Sequence, residues 1–261
     1  MRTTAVRRTA LAASATALAL LVTACGGSDG SGSGKGDEGK ADSSASAAPA
    51  AKALTAAELE KVALVQADVK DGKVLTKLPP AEDLAADKVE AEDKTCEPLA
   101  QMQVGVPVGS PTATVKRSWT GEPKRPTKEL GIEETLLAGM DVEKMLLTLT
   151  SHEDGGAEQV IKDVNTAVGE CAGGFTYAAG GEKMKALKVE KTQAPDEADE
   201  ALAITMTLAA DEDIKMPVKF VVVRKGATVA SFTAANFASA ATGTDFDFPT
   251  QVSDAQLAKL G

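Results

Sequence analysis

Val218-Lys219-Phe220-Val221-Val222-Val223, then Arg224-Lys225-Gly226-Ala227, then Thr228-Val229-Ala230-Ser231-Phe232-Thr233 is the stretch that decides the fold. The first run is almost continuously apolar and rich in β-branched residues, the pattern of a central strand. Gly226 supplies the positive φ of a tight turn, and the second run returns as the antiparallel partner. Pro217 stands just before the first run and marks its start.

Outward from this hairpin, residues 201–208 alternate, with Ile204, Met206 and Leu208 inward and Thr205 and Thr207 outward. Residues 185–191, 145–150, 113–119 and 73–77 are further strands. Met145, Leu147 and Leu149 share one face, and Pro79-Pro80 closes the last of these segments. Between them, Val160, Ile161, Val164, Ala167 and Val168 recur at helical spacing, which predicts an amphipathic helix over 157–170 ending at Cys171. Leu54-Thr55-Ala56-Ala57-Glu58-Leu59 carries a capping box and a hydrophobic staple, predicting a helix to about residue 67. Val252-Ser253-Asp254-Ala255-Gln256-Leu257 repeats that signature, with Ser253 as cap and Gln256 closing the box. A short helix is expected over 96–103, stopped by Gly105 and Pro107, an acidic loop or short helix over 81–93, and a polar turn over 122–131. The expected architecture is α+β: an antiparallel sheet of five to seven strands with the helices packed on one face.

Cys96 and Cys171 lie 75 residues apart. In an oxidising compartment such a pair forms a disulfide, and closing a loop of that length is worth about 4 to 5 kcal/mol in the chain-entropy treatment. The chain has one histidine and neither CxxC nor HxxxH spacing, so no metal site and no cofactor are expected.

The N-terminus gives the address. Arg2, Arg7 and Arg8 precede a 14-residue weakly apolar run, Thr9 to Val22, shorter than the roughly 20 residues a spanning helix needs. Leu21-Val22-Thr23-Ala24-Cys25 follows, and this order resembles a bacterial lipoprotein signal. The resemblance implies cleavage before Cys25, with diacylglycerol on its thiol. The domain organisation is then a signal peptide over 1–24, a lipidated cysteine with a Gly/Ser/Ala tether over 25–52, and an extracytoplasmic domain over 53–261. The tether has no large apolar residue with which to offset its ordering entropy.

The formal charge is −10, and loss of the three signal arginines leaves −13. An acidic surface excludes a nucleic-acid partner and disfavours lying flat on anionic lipid. Aromatic content is 3%, with a single Trp and a single Tyr, which disfavours a carbohydrate site of stacked rings.

Candidates for chemistry are few. His152 in Ser151-His152-Glu153-Asp154 would serve as a base beside a serine, but adjacent residues in an extended segment face opposite ways and no GxSxG elbow is present. It is read as a surface-loop histidine. Asp245 and Asp247 alternate with Phe246 and Phe248, which fits an edge strand with buried rings better than a calcium site. Asp211-Glu212-Asp213 is a charged hairpin turn, and Gly155-Gly156 a loop-to-helix junction. Trp119 is expected in the core, or lining a ligand cleft beside Phe175 and Tyr177.

Cys96 with its short helix, the strands at 114–119 and 145–150, the helix ending at Cys171, and the strands at 202–207 and 219–233 around Arg224-Lys225-Gly226 together resemble lipoproteins of Streptomyces and relatives. More remotely, the order is similar to the extracellular sensor domain of the mycobacterial serine/threonine kinase PknH. The resemblance covers residues 54–260 and implies the fold class, with no binding residue transferred. The expected function is a lipid-anchored envelope protein on the extracytoplasmic face of the cell membrane, a non-enzymatic binding or sensor-like module. Its partners would be the membrane through Cys25 and a small molecule, lipid or envelope protein. The alternative is a carrier of a lipid or other apolar ligand in an internal cavity.

Overall fold

The computed structural model describes residues 51–123, 131–194, 199–210 and 214–261. Cys25, its signal, most of the tether, the centre of the 122–131 turn and the Asp211-Glu212-Asp213 run lie outside the described residues.

Nine strands form one open antiparallel sheet: β1 (Lys73–Leu75), β2 (Val89–Ala91), β3 (Ala113–Thr120), β4 (Glu143–Ser151), β5 (Phe175–Ala179), β6 (Glu182–Thr192), β7 (Glu200–Ala209), β8 (Lys215–Lys225) and β9 (Thr228–Asn236). Their order across the sheet is β1-β3-β4-β9-β8-β7-β6-β5-β2. The helices are α1 (Ala56–Val62), α2 (Glu97–Gln103), α3 (Ile132–Met140), α4 (Gly156–Glu170), α5 (Phe237–Thr242) and α6 (Thr250–Leu257). The α+β class stands, but the sheet exceeds five to seven strands. The additions are β2, three residues in an acidic segment where alternation has no length to register, and β5, a five-residue partner of β6.

A second correction concerns the helices, which cover both faces. Val218, Phe220 and Val222 of β8 join Ile204, Met206 and Leu208 of β7 in a core roofed by α2 and α4. Val221 and Val223 of β8 and Ala230, Phe232 and Ala234 of β9 face the other way, into a core closed by Leu59 of α1 and Val252 and Leu257 of α6. The hairpin register sets this division, pairing Val221 with Phe232 and Val222 with Ser231. Successive residues of a strand point to opposite faces, so an unbroken apolar run demands cover on both. Pro217 lies inside β8 rather than before it. Pairing with β9 begins only at Lys219, so that side of the strand asks no ladder donor of Pro217.

The apolar stripe of α4 is buried as expected, and Cys171 at its C-terminal end is bonded to Cys96, Cα to Cα 5.9 Å, ahead of α2. Thr55 caps α1: the Glu58 N–H donates to its Oγ1 at 3.3 Å and the Thr55 N–H to Glu58 Oε2 at 2.8 Å. The helix nevertheless stops at Val62. Gln256, fully buried in α6, donates from Nε2 to the Val62 carbonyl at 2.8 Å and accepts the Leu64 N–H on Oε1 at 2.8 Å. One side-chain amide thus replaces the next helical turn. The expected box at Ser253 and Gln256 is absent: α6 begins at Thr250, which puts Ser253 inside the helix with its Oγ donating to the Thr250 carbonyl at 2.9 Å, and the Gln256 amide is spent on Val62 and Leu64.

Truncating Gln256 strands a donor and an acceptor in the interior, a loss worth about 1 to 3 kcal/mol. Gln256→Ala is expected to lower unfolding free energy by that amount in urea titration, with m unchanged.

Candidate functional site

The structure separates the expected cleft residues. Trp119 is on β3 and Tyr177 on β5, with five strands between them in the sheet order. At about 4.8 Å per strand the separation is roughly 29 Å along the sheet. Trp119 is buried in the core beneath α1, its Nε1–H donating to the Asp71 carbonyl at 2.9 Å. Phe175 and Tyr177 pack together, ring centroids 5.4 Å apart, in the core beneath α2 and α4. Burial pushes the Tyr177 hydroxyl well above its ordinary pKa. No cleft joins the three.

His152 is not a surface residue: it is 3% exposed. Its Nε2 lies 2.9 Å from Thr150 Oγ1, and Ser151 Oγ accepts the Leu54 N–H at 2.7 Å rather than meeting the ring. Burial holds the imidazole below its ordinary pKa. Asp245 and Asp247 are in an irregular segment rather than an edge strand. The Lys219 ammonium occupies Asp245 at 3.0 Å and sits 5.2 Å from the Phe246 ring centre. Among the described residues no group of three or more His, Cys, Asp or Glu side chains is placed to hold a metal. Gly155, at φ 78°, starts α4 without a side-chain cap.

The carrier reading expects an enlarged apolar interior. Between α4 and the sheet, beside Val106, Val108, Val160 and Val222, the enclosed space is about 10 Å³, too small for a chain of any length.

Larger concavities open at the surface among the described residues, including these three. One of about 560 Å³ lies between Phe248 and β7, and one of about 460 Å³ between α3, α5 and Asp245. The third, about 260 Å³, is predominantly apolar. Its floor is Leu146 of β4, Thr233 and Ala235 of β9 and Val218 of β8, and its walls are Gln103 and Val104 at the end of α2, Leu84 and Phe237.

The local sequence builds this third groove. α2 ends at Gln103, and Gly105, at φ 67°, turns the chain away so closely over Leu146 that a Cβ there would meet its Cδ1 at 3.3 Å. Thr233 Oγ1 donates to the Met102 carbonyl at 2.7 Å and Thr148 Oγ1 to the Gly105 carbonyl at 3.0 Å, fixing the helix end to the sheet. The opposite wall is held by ion pairs from the sheet: Lys144 of β4 to Glu82 Oε1 at 2.5 Å and Lys116 of β3 to Asp83 Oδ1 at 2.8 Å, with Lys116 also donating to the Leu84 carbonyl at 3.1 Å.

Unpaired polar atoms single this groove out. Among the described residues four buried side-chain polar atoms have no hydrogen-bond partner: Glu82 Oε2, Gln103 Oε1, Ser118 Oγ and Tyr177 Oη. Glu82 and Gln103 line the groove, and Ser118 pairs across β3–β4 with Leu146 in its floor. None belongs to the other two concavities. Buried polar atoms are nearly always paired, so these four are exceptions, two of them in side chains that line the groove. Sequence reasoning missed this site because its floor is an ordinary strand face and its wall came from the segment read as an acidic loop.

No family model matches the chain, and no curated protein matches it. Among solved structures it is similar to the extracellular domain of PknH from Mycobacterium tuberculosis, at 12% identity and TM-score 0.43, over 80% of this chain and 95% of that one. It is also similar to a protein from Mycobacterium smegmatis described as the Rv0999 ortholog, at 13% identity and TM-score 0.32, over 81% and 98%. No residue role follows from either likeness.

His152 gives a pH dependence. Its folded pKa lies below the unfolded value near 6.5, so the unfolded chain binds more protons as pH falls, and stability drops by at most about 1.4 kcal/mol per pH unit from this group. Urea titrations at pH 7 and 5 are expected to show a smaller loss for His152→Gln than for the parent chain.

Proposed function

We propose that this chain is a lipid-anchored extracytoplasmic binding module without enzymatic activity, tethered through Cys25 and taking a small ligand in the groove between α2, Leu84 and the β4–β9–β8 floor. The observation that carries the reading is a predominantly apolar groove of about 260 Å³ whose floor and walls are fixed to each other by the Thr233, Thr148 and Lys144 contacts. Its volume is near the lower end for ligand sites, about 300–1,000 Å³, so a fragment-sized ligand or the end of a longer one fits. The buried Cys96–Cys171 disulfide supports an oxidising compartment, and the N-terminal signal supports the anchor. Among the described residues no helix is long and apolar enough to cross a membrane. No observation favours the carrier reading over this one.

Two measurements test it. Intact mass of the protein extracted from its own membranes is expected to match cleavage before Cys25 plus a diacylglyceryl group; an unprocessed chain would overturn the anchor. For the groove, hexan-1-ol added to the full chain in nanodiscs is expected to shift the methyl resonances of Leu84, Leu146 and Met216. Shifts confined to the surroundings of Phe248 or Leu137 would place binding elsewhere and sink the assignment.

A further inference from the structure

Ile132, Leu136 and Met140 recur at i, i+4 and i+8 on α3 with Leu137 beside them, so one side of this helix is apolar. Yet no residue of the helix is buried: Ile132 is 94% exposed and Leu136 64%. A helix of nine residues is too short to persist on its backbone bonds alone and ordinarily depends on packing of its apolar face. With Phe237 at the start of α5, Ile132 and Leu136 make three of the four large apolar side chains exposed among the described residues. All three belong to the end of the sheet where Glu143 pairs with Asn236. Such a concentration marks a contact surface rather than ordinary scatter.

Charge selects the partner. The concavity of about 460 Å³ beside α3 is lined by Asp141, Asp245 and Asp247 and, among the described residues, by no lysine or arginine. Asn236 donates to Asp141 at 2.8 Å, and Lys219 pairs with Asp245 at 3.0 Å but leaves its side chain 75% exposed. Asp247 is exposed and has no hydrogen-bond or ion-pair partner among the described residues. Glu133 and Glu134 add acid in the first turn of α3. Anionic lipid would be repelled here, and α3 packed on α3 of a second copy would set the same carboxylates against each other. The tether enters at the other end of β9, with Ala51 beside Gly226 and Leu54 on Ser151, roughly 30 Å away along the strand. We propose that α3 and the concavity beside it form a docking surface for a cationic amphipathic segment of another protein. Its apolar side chains lie over Ile132 and Leu136, and its lysine or arginine side chains reach Asp245 and Asp247.

The full chain in phosphatidylcholine nanodiscs, with empty nanodiscs as blank, is titrated while the methyl resonances of Ile132, Leu136 and Leu137 are followed. The probes are two acetylated, amidated peptides, one of three Leu-Lys-Lys-Leu repeats and one of three Leu-Glu-Glu-Leu repeats. The lysine peptide is expected to move these methyls and to bind at least tenfold more tightly than the glutamate peptide, weakening as added salt screens the contact. Asp247→Asn and Leu136→Ser, both at exposed positions, are each expected to weaken it at least threefold. Asp87→Asn, an equal charge change at an exposed position ahead of β2, is expected to leave it unchanged. Equal affinity for the two peptides, or equal effects of Asp87→Asn and Asp247→Asn, would overturn the assignment. So would methyl shifts that grow with protein concentration alone, which give the surface to a second copy, or broadening of these methyls by spin-labelled lipid, which gives it to the bilayer.

Discussion

The two-sided burial of the β8–β9 hairpin is the constraint from which the rest of the architecture follows. A strand that is apolar on one face needs one covering layer; β8 presents Phe220 and Val222 to one side and Val221 and Val223 to the other, so it needs two. α2 and α4 meet one demand, α1 and α6 the other. The strands on either side extend the same division outward, with Leu147 of β4 opposite Phe232 and Ile204 of β7 opposite Phe220. The sheet stays open and ends in two three-residue strands, β1 and β2, short enough to present little unpaired backbone.

The covering layers are held by a few long-range polar contacts. On the α4 side the disulfide ties the C-terminal end of the helix to the entry of α2. On the other side Gln256 joins α6 to the end of α1. Arg117, 3% exposed on β3, donates to the carbonyls of Leu64 and Thr76, each at 3.0 Å, and pairs with Glu60 at 2.5 Å. A buried guanidinium is costly unless its donors are met, and here they gather the chain that follows α1 onto the sheet.

The groove is a by-product of the same layering. α2 is only seven residues long, and where Gly105 turns the chain away the β4–β9–β8 face continues without a helix above it. The segment around Glu82 and Leu84 takes the helix's place, held by Lys144 and Lys116 and by a partly buried Leu84, and it forms a wall of the groove. A concavity with an apolar floor and a polar rim results, and the side chains of Glu82 and Gln103 line it. Trp119 and Tyr177 take no part because each is needed to fill a core on its own side of the sheet.

The local pattern alone determined the elements with long periodicity: the β8–β9 hairpin, the amphipathic stripe of α4, the capping box of α1 and the alternation of β3, β4 and β7. These depend on neighbours within a turn or a strand, so they are written in consecutive residues. The second helical layer is implicit in the unbroken run of β8, whereas the alternation of β4 and β7 by itself points to a single buried face. Tertiary structure alone decided that α1 stops at Val62, since the amide that ends it comes from Gln256, 194 residues away. It also decided that His152 is buried and that Trp119 and Tyr177 lie apart. The groove belongs to this second class: its parts come from residues 81–84, 103–104, 144–146, 216–218 and 233–237, and no property of any one segment reveals which polar atoms will be left without partners when they meet.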